Sequence, residues 1–134
     1  MTTSRRPLPY DLDAECVVLG ASLMSREAFT QAAALLDPSA FFSDAHRLIF
    51  ATMVKMASHG DVIDCVNLSQ SLKEAGLDHV TGGPAYLAGL LDGLPPSIHV
   101  ESHAQRVKEK ATLRALMRAG ERLIAKAYAA RPRK

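Results

Sequence analysis

Apolar residues recur along the chain at spacings of three and four, and Gly, Pro, Asp and Ser interrupt them at short intervals. That period argues for helices, and no alternating run of useful length argues for a strand. From about Leu12 to Met24, Cys16, Leu19, Gly20 and Leu23 repeat at i, i+3, i+4 and i+7 behind Asp11, a suitable N-cap. Ser25 can cap a second helix through Leu36, with Glu27 in its first turn, where negative charge suits the macrodipole. "DPSAFF" predicts one short helical turn, with Asp37 as cap and Pro38 at the first position. A helix of about fifteen residues should follow Ser43 or Asp44 and end at Gly60, with Leu48, Ile49, Ala51, Thr52, Met53 and Met56 as its packing face. Asn67, with Gln70 three residues on, resembles a capping box, and Gly76 is the expected stop. Gly82 and Gly83 precede Pro84, a good first helical residue, and that helix should end at Gly93. "LPPS" then breaks the chain. From about Ile98 to Ala130 nothing interrupts a single long helix, and "RPRK" closes the sequence.

The expectation is an all-α fold. Residues 1–10 form a flexible tail, residues 11–98 a compact head of five or six short helices, residues 99–130 a long helix for packing between subunits, and residues 131–134 a basic tail or the start of a linker. Two apolar stripes run along the long helix. Val100, Ala104, Val107 and Ala111 share one face, which should pack on the head. Leu113 then lies about 200° from Ala111, and Leu113, Met117, Gly120, Ile124 and Ala127 repeat at alternating steps of four and three, the spacing of a helix–helix seam. Leu116 and Leu123 widen that second stripe. The seam residues Leu113, Leu116, Met117, Gly120, Leu123 and Ile124 find no later segment to cover them, which points to self-association. Lys110, Arg114, Arg118, Arg122 and Lys126 form an i, i+4 row roughly opposite.

Composition narrows the class. The 134 residues suit one domain, and 48% apolar with 22% charged residues is globular rather than disordered. No apolar run approaches the roughly 20 residues of a membrane span, and "MTTSRRPLPYDLD" lacks the apolar core of a signal peptide. The reading is a soluble cytoplasmic protein with no membrane partner, in which Cys16 and Cys65 are buried reduced thiols. Charge is uneven: residues 1–100 hold six Lys/Arg against eleven Asp/Glu, whereas residues 101–134 hold ten against three. The two halves should therefore present different surfaces.

Candidate chemistry is sparse. His46 and Arg47 sit side by side in "FFSDAHRLIFATM", but no carboxylate, nucleophile or metal partner stands at fixed spacing, so they read as fold residues near a helix start. His99 and His103 have the i, i+4 spacing of a metal pair, yet no third ligand is near and no H-E-x-x-H pattern occurs. No G-x-x-x-x-G-K-[ST] loop exists in the 134 residues, and Gly82–Gly83 reads as a turn before a helix. The chain is thus not an enzyme by sequence and needs no cofactor. The basic row, through Lys110, Arg114, Arg118 and Arg122, could contact a protein partner or lie along DNA phosphates, although no aromatic residues interleave for base stacking.

Five ordered segments add a resemblance: "PYDLDAECVVLGASL", "FFSDAHRLIFATM", "GDVIDCVNLSQSLKEAG", "VTGGPAYLAGL" and "SHAQRVKEKATLRAL". Together they resemble the N-terminal domain of the DnaB-type bacterial replicative helicases, over roughly residues 7–125. The resemblance implies a non-catalytic, all-helical head followed by a helical hairpin, of which the long helix is the first arm. It implies that hairpins pair between subunits into a collar on a hexamer, and that the collar docks the helicase-binding domain of primase, and a helicase loader, in the primosome. ATP and magnesium would belong only to the separate motor domain of the full-length helicase. Neither that domain nor a second hairpin helix occurs in the sequence, so an excised fragment and a naturally short relative are both expected possibilities. The rival functions are a small DNA-binding protein using the basic helix and a stand-alone helicase regulator.

Overall fold

The computed structural model describes residues 7–95 and 98–130. The described residues form six α-helices and one 3₁₀ turn, with no strand among them. The helices are α1 (Leu12–Met24), α2 (Arg26–Leu35), α3 (Asp44–Ser58), α4 (Cys65–Glu74), α5 (Gly83–Asp92) and α6 (Val100–Ala129), with the 3₁₀ turn Pro38–Ala40 between α2 and α3. This is the expected all-α head followed by one long helix. Pro96 and Ser97 of the "LPPS" break, residues 1–6 of the tail and the closing "RPRK" lie outside the described residues.

Local capping explains most boundaries. The side chains of Asp11, Ser25, Asp37 and Ser43 accept from Ala14, Ala28, Ser39 and His46 backbone N–H groups, each satisfying a donor that the first turn leaves unpaired. One cap differs from expectation. Asp64, not Asn67, caps α4, accepting from the Asn67 N–H at 2.7 Å. Asn67 instead donates its side-chain amide to the Val62 carbonyl. Gly82 and Gly83 enter α5 at φ +88° and +72°, backbone that side-chain-bearing residues rarely adopt.

Helix α1 is the hub, packed against α2, α3, α5 and α6. It is therefore buried on several sides, and Ala14, Val18 and Ala21 join Leu19 and Leu23 in the core. Gly20 allows the close approach of α5: a Cβ there would stand 2.6 Å from the Leu90 carbonyl oxygen and 2.9 Å from Leu94 Cδ2. On α3 the buried face is His46, Ile49, Phe50, Met53 and Met56. Ala51 is exposed, while Leu48 and Thr52 are only half-buried, so the packing face is rotated toward Phe50. Phe50 lies between Phe29 and Phe41, with ring centroids at 5.6 and 5.0 Å. Cys16 and Cys65 are free thiols, half-buried rather than buried.

The sequence-derived division between head and long helix shifts. Val100, Ala104 and Val107 are core residues, so the first half of α6 is part of the head. Residues 7–10 are no loose tail either: the Pro9 carbonyl accepts a hydrogen bond from α6, and Tyr10 stacks on Phe42 at 4.5 Å.

Candidate functional site: a buried polar centre and a two-faced helix

The His46 environment is built by three helices. His46 stands in the first turn of α3 and Glu15 in the first turns of α1, and both are almost wholly buried. The network assigns the imidazole tautomer: Nδ1–H donates to Glu15 Oε1 at 2.8 Å, and Nε2 accepts from the Tyr86 hydroxyl of α5 at 2.6 Å. The Glu15 carboxylate also accepts from the backbone N–H groups of Phe42, at 2.7 Å, and Ser43, at 3.3 Å. Cys16 Sγ lies 3.9 Å from the Tyr86 oxygen and 4.0 Å from His46 Nε2. An acid, an imidazole, a phenol and a thiol in series have the outline of a catalytic relay, but their environment opposes it. Burial pushes the Cys16 thiol up. Burial, reinforced by Cys16, pushes the Tyr86 phenol up to about 12. A nucleophile needs the opposite shift. The centre instead joins α1, α3 and α5, and no buried side-chain polar atom among the described residues lacks a partner.

Arg47, the second residue of the pair, braces the turn before its own helix. Its Nη1 donates to the Phe41 and Phe42 carbonyls, and the guanidinium pairs with Asp44. His99 caps α6 without a side-chain hydrogen bond. Among the described residues no three His, Cys, Asp or Glu side chains gather as a metal site.

Helix α6 carries the other candidate residues, and one is displaced. Arg114 is not a surface contact: it is 4% exposed. It continues the head-facing series Val100, Ala104, Val107 and Ala111 at the next step of three. Its Nη1 donates to the Pro9 carbonyl and its Nη2 to the Ala40 carbonyl, both at 2.8 Å, and the guanidinium lies 5.3 Å from the Phe42 ring centroid. It therefore ties α6 to the N-terminal segment and the 3₁₀ turn. Lys110 is half-buried, and Arg118 and Arg122 are exposed. On the opposite face Leu113, Leu116, Leu123 and Ile124 are 45–68% exposed, and Met117 and Gly120 are half-buried. Sequence reasoning missed Glu15 and Tyr86; a carboxylate one helical turn before Leu19, on the apolar side of α1, was the available signal.

A family profile described as the DnaB-like helicase N-terminal domain matches residues 7–109. The chain belongs to this family. The replicative DNA helicase DnaB of Geobacillus stearothermophilus is 34% identical over 125 residues, covering 93% of this chain and 28% of that protein. The Haemophilus influenzae DnaB is 34% identical over 120 residues, covering 90% of this chain and 26% of that protein. The fold matches the crystal structure of the N-terminal domain of DnaB helicase from Mycobacterium tuberculosis with a TM-score of 0.89 and 33% identity, over 92% of this chain and 88% of that one. The chain spans about a quarter of the length of the curated relatives it matches. What the chain matches in these helicases is their N-terminal domain. No described helix is long and apolar enough to cross a membrane.

Proposed function

We propose that this domain assembles subunits of a hexameric, ATP-dependent replicative helicase in the cytoplasm and docks its protein partners. The observation that carries the reading is the change of face along α6. Up to Arg114 the helix buries one side in the head; from Leu113 onward it exposes an apolar stripe on the opposite side. Exposed leucines and an isoleucine at steps of three and four favour burial against another helix. A second subunit is the first occupant in this reading, and the helicase-binding domain of primase, or a loader, docks on the assembled collar. The burial of Arg114 weakens the rival reading of a basic helix lying along DNA, because the row loses a central member.

Sedimentation equilibrium tests the seam. Met117→Glu combined with Ile124→Glu should abolish any oligomer while the head keeps its thermal midpoint. An unchanged oligomer would remove these residues from the interface. Calorimetric titration with the helicase-binding domain of primase from the same source tests docking: saturable heat supports it, and silence at high concentration removes primase.

A further inference from the structure

We propose that a cleft between the start of α3 and the middle of α6 binds a small molecule carrying a phosphoryl group. Arg47, Arg114, Arg118, Ser39, Ser43 and Asp44 line this cleft, whose volume is about 400 Å³. The inference goes beyond the assembly role and does not depend on it.

Three guanidiniums converge there; Asp44 pairs with Arg47 and the buried Glu15 carboxylate lies behind the turn, which leaves a net positive charge at Arg118 for an occupant to balance. The arginines are not equally engaged. Arg47 and Arg114 are held in place by backbone carbonyls, two each. Those bonds do not exhaust the five N–H donors of a guanidinium. Arg118 makes no hydrogen bond or ion pair among the described residues. A cation left without its own anion beside two others is a local conflict of the kind that marks functional sites. Burial holds Arg114 below its ordinary value; Glu15 opposes this, and the charges of Arg118 and Arg47 add to the lowering. The N-terminus of α3, a helix of 15 residues, also ends at this cleft and adds its positive dipole end.

Size and shape select the ligand. A carboxylate offers two oxygens in one plane, whereas a phosphoryl group offers three to donors arriving from two helices. The volume lies near the lower end for small-molecule sites, roughly 300–1,000 Å³, which suits pyrophosphate or a nucleotide's terminal phosphates rather than a nucleic-acid strand.

The test is a titration of the full 134-residue chain with pyrophosphate and, separately, ATP, at constant ionic strength, followed by NMR of the arginine Nε–H and backbone amide signals. Saturable shifts should appear at Arg118, Ser39 and Ser43. Arg118→Ala, at an exposed position, should leave the fold intact and weaken binding at least about tenfold, the loss of one charge-assisted hydrogen bond or more. Arg122→Ala, one turn further along and outside the cleft, should change it by less than about twofold under screening salt. The proposal fails if no signal saturates, if Arg122→Ala weakens binding as much as Arg118→Ala, or if only an oligonucleotide or an acidic peptide shifts the cleft residues.

Discussion

Arg114 exchanges water for two carbonyl oxygens and an aromatic face, and it does so at the point where α6 leaves the head. Arg114→Met keeps much of the apolar stem but strands the Pro9 and Ala40 carbonyls. Loss of two charge-assisted bonds should destabilise the domain by about 2–4 kcal/mol, read as a lower urea midpoint. Arg114→Lys should recover only part of this, because an ammonium lacks the planar fork that reaches both acceptors. Tyr86 offers a pH test. Its folded-state phenol titrates at about 12, above the ordinary value of 10, so the folded protein holds that proton longer than the unfolded chain does. The stability it contributes is complete below pH 10 and is lost as pH rises from 10 to 12. Tyr86→Phe should flatten that alkaline fall in denaturation curves recorded across the range.

Among the elements, the contact of α1 with α5 is set by the missing side chain at Gly20. Alanine is the better helix former by about 1 kcal/mol, yet its Cβ would meet the Leu90 carbonyl oxygen. Backbone cannot yield as a side chain can, so Gly20→Ala should destabilise by about 1–3 kcal/mol in chemical denaturation. The helices and their caps were legible in the sequence where the signal was local: Asp11, Ser25, Asp37 and Ser43 each act within three residues of themselves. Asp64 was hidden behind Asn67, which offers the same cap chemistry three residues later. Glu15 and Arg114 were hidden for another reason. Apolar periodicity counts only apolar residues, and their acceptors and donors lie 27 to 105 residues away. Arg114 nevertheless falls in phase with Val107 and Ala111, and that phase was the available clue to its burial.

For the whole molecule, α6 divides into a half that folds with the head and a half that stands free of it. Every residue from Glu121 to Ala130 is exposed. A free end of some ten residues has little helical stability of its own. Hydrogen exchange on the dilute protein should find slow amides from about Ala104 to Arg114 and near-unprotected amides after Glu121, with protection spreading outward as concentration rises. Uniform protection along α6 in the dilute monomer would contradict this division. The Arg114 clamp also dates the head during its own synthesis. Pro9 leaves the ribosome 105 residues ahead of the side chain that binds it. At roughly 5–20 residues per second, that carbonyl waits about 5–20 s for its partner. Helices α1 to α5 are therefore all made before the Pro9 carbonyl can meet Arg114, and the segment that Tyr10 anchors on Phe42 gains its tie to α6 only afterwards.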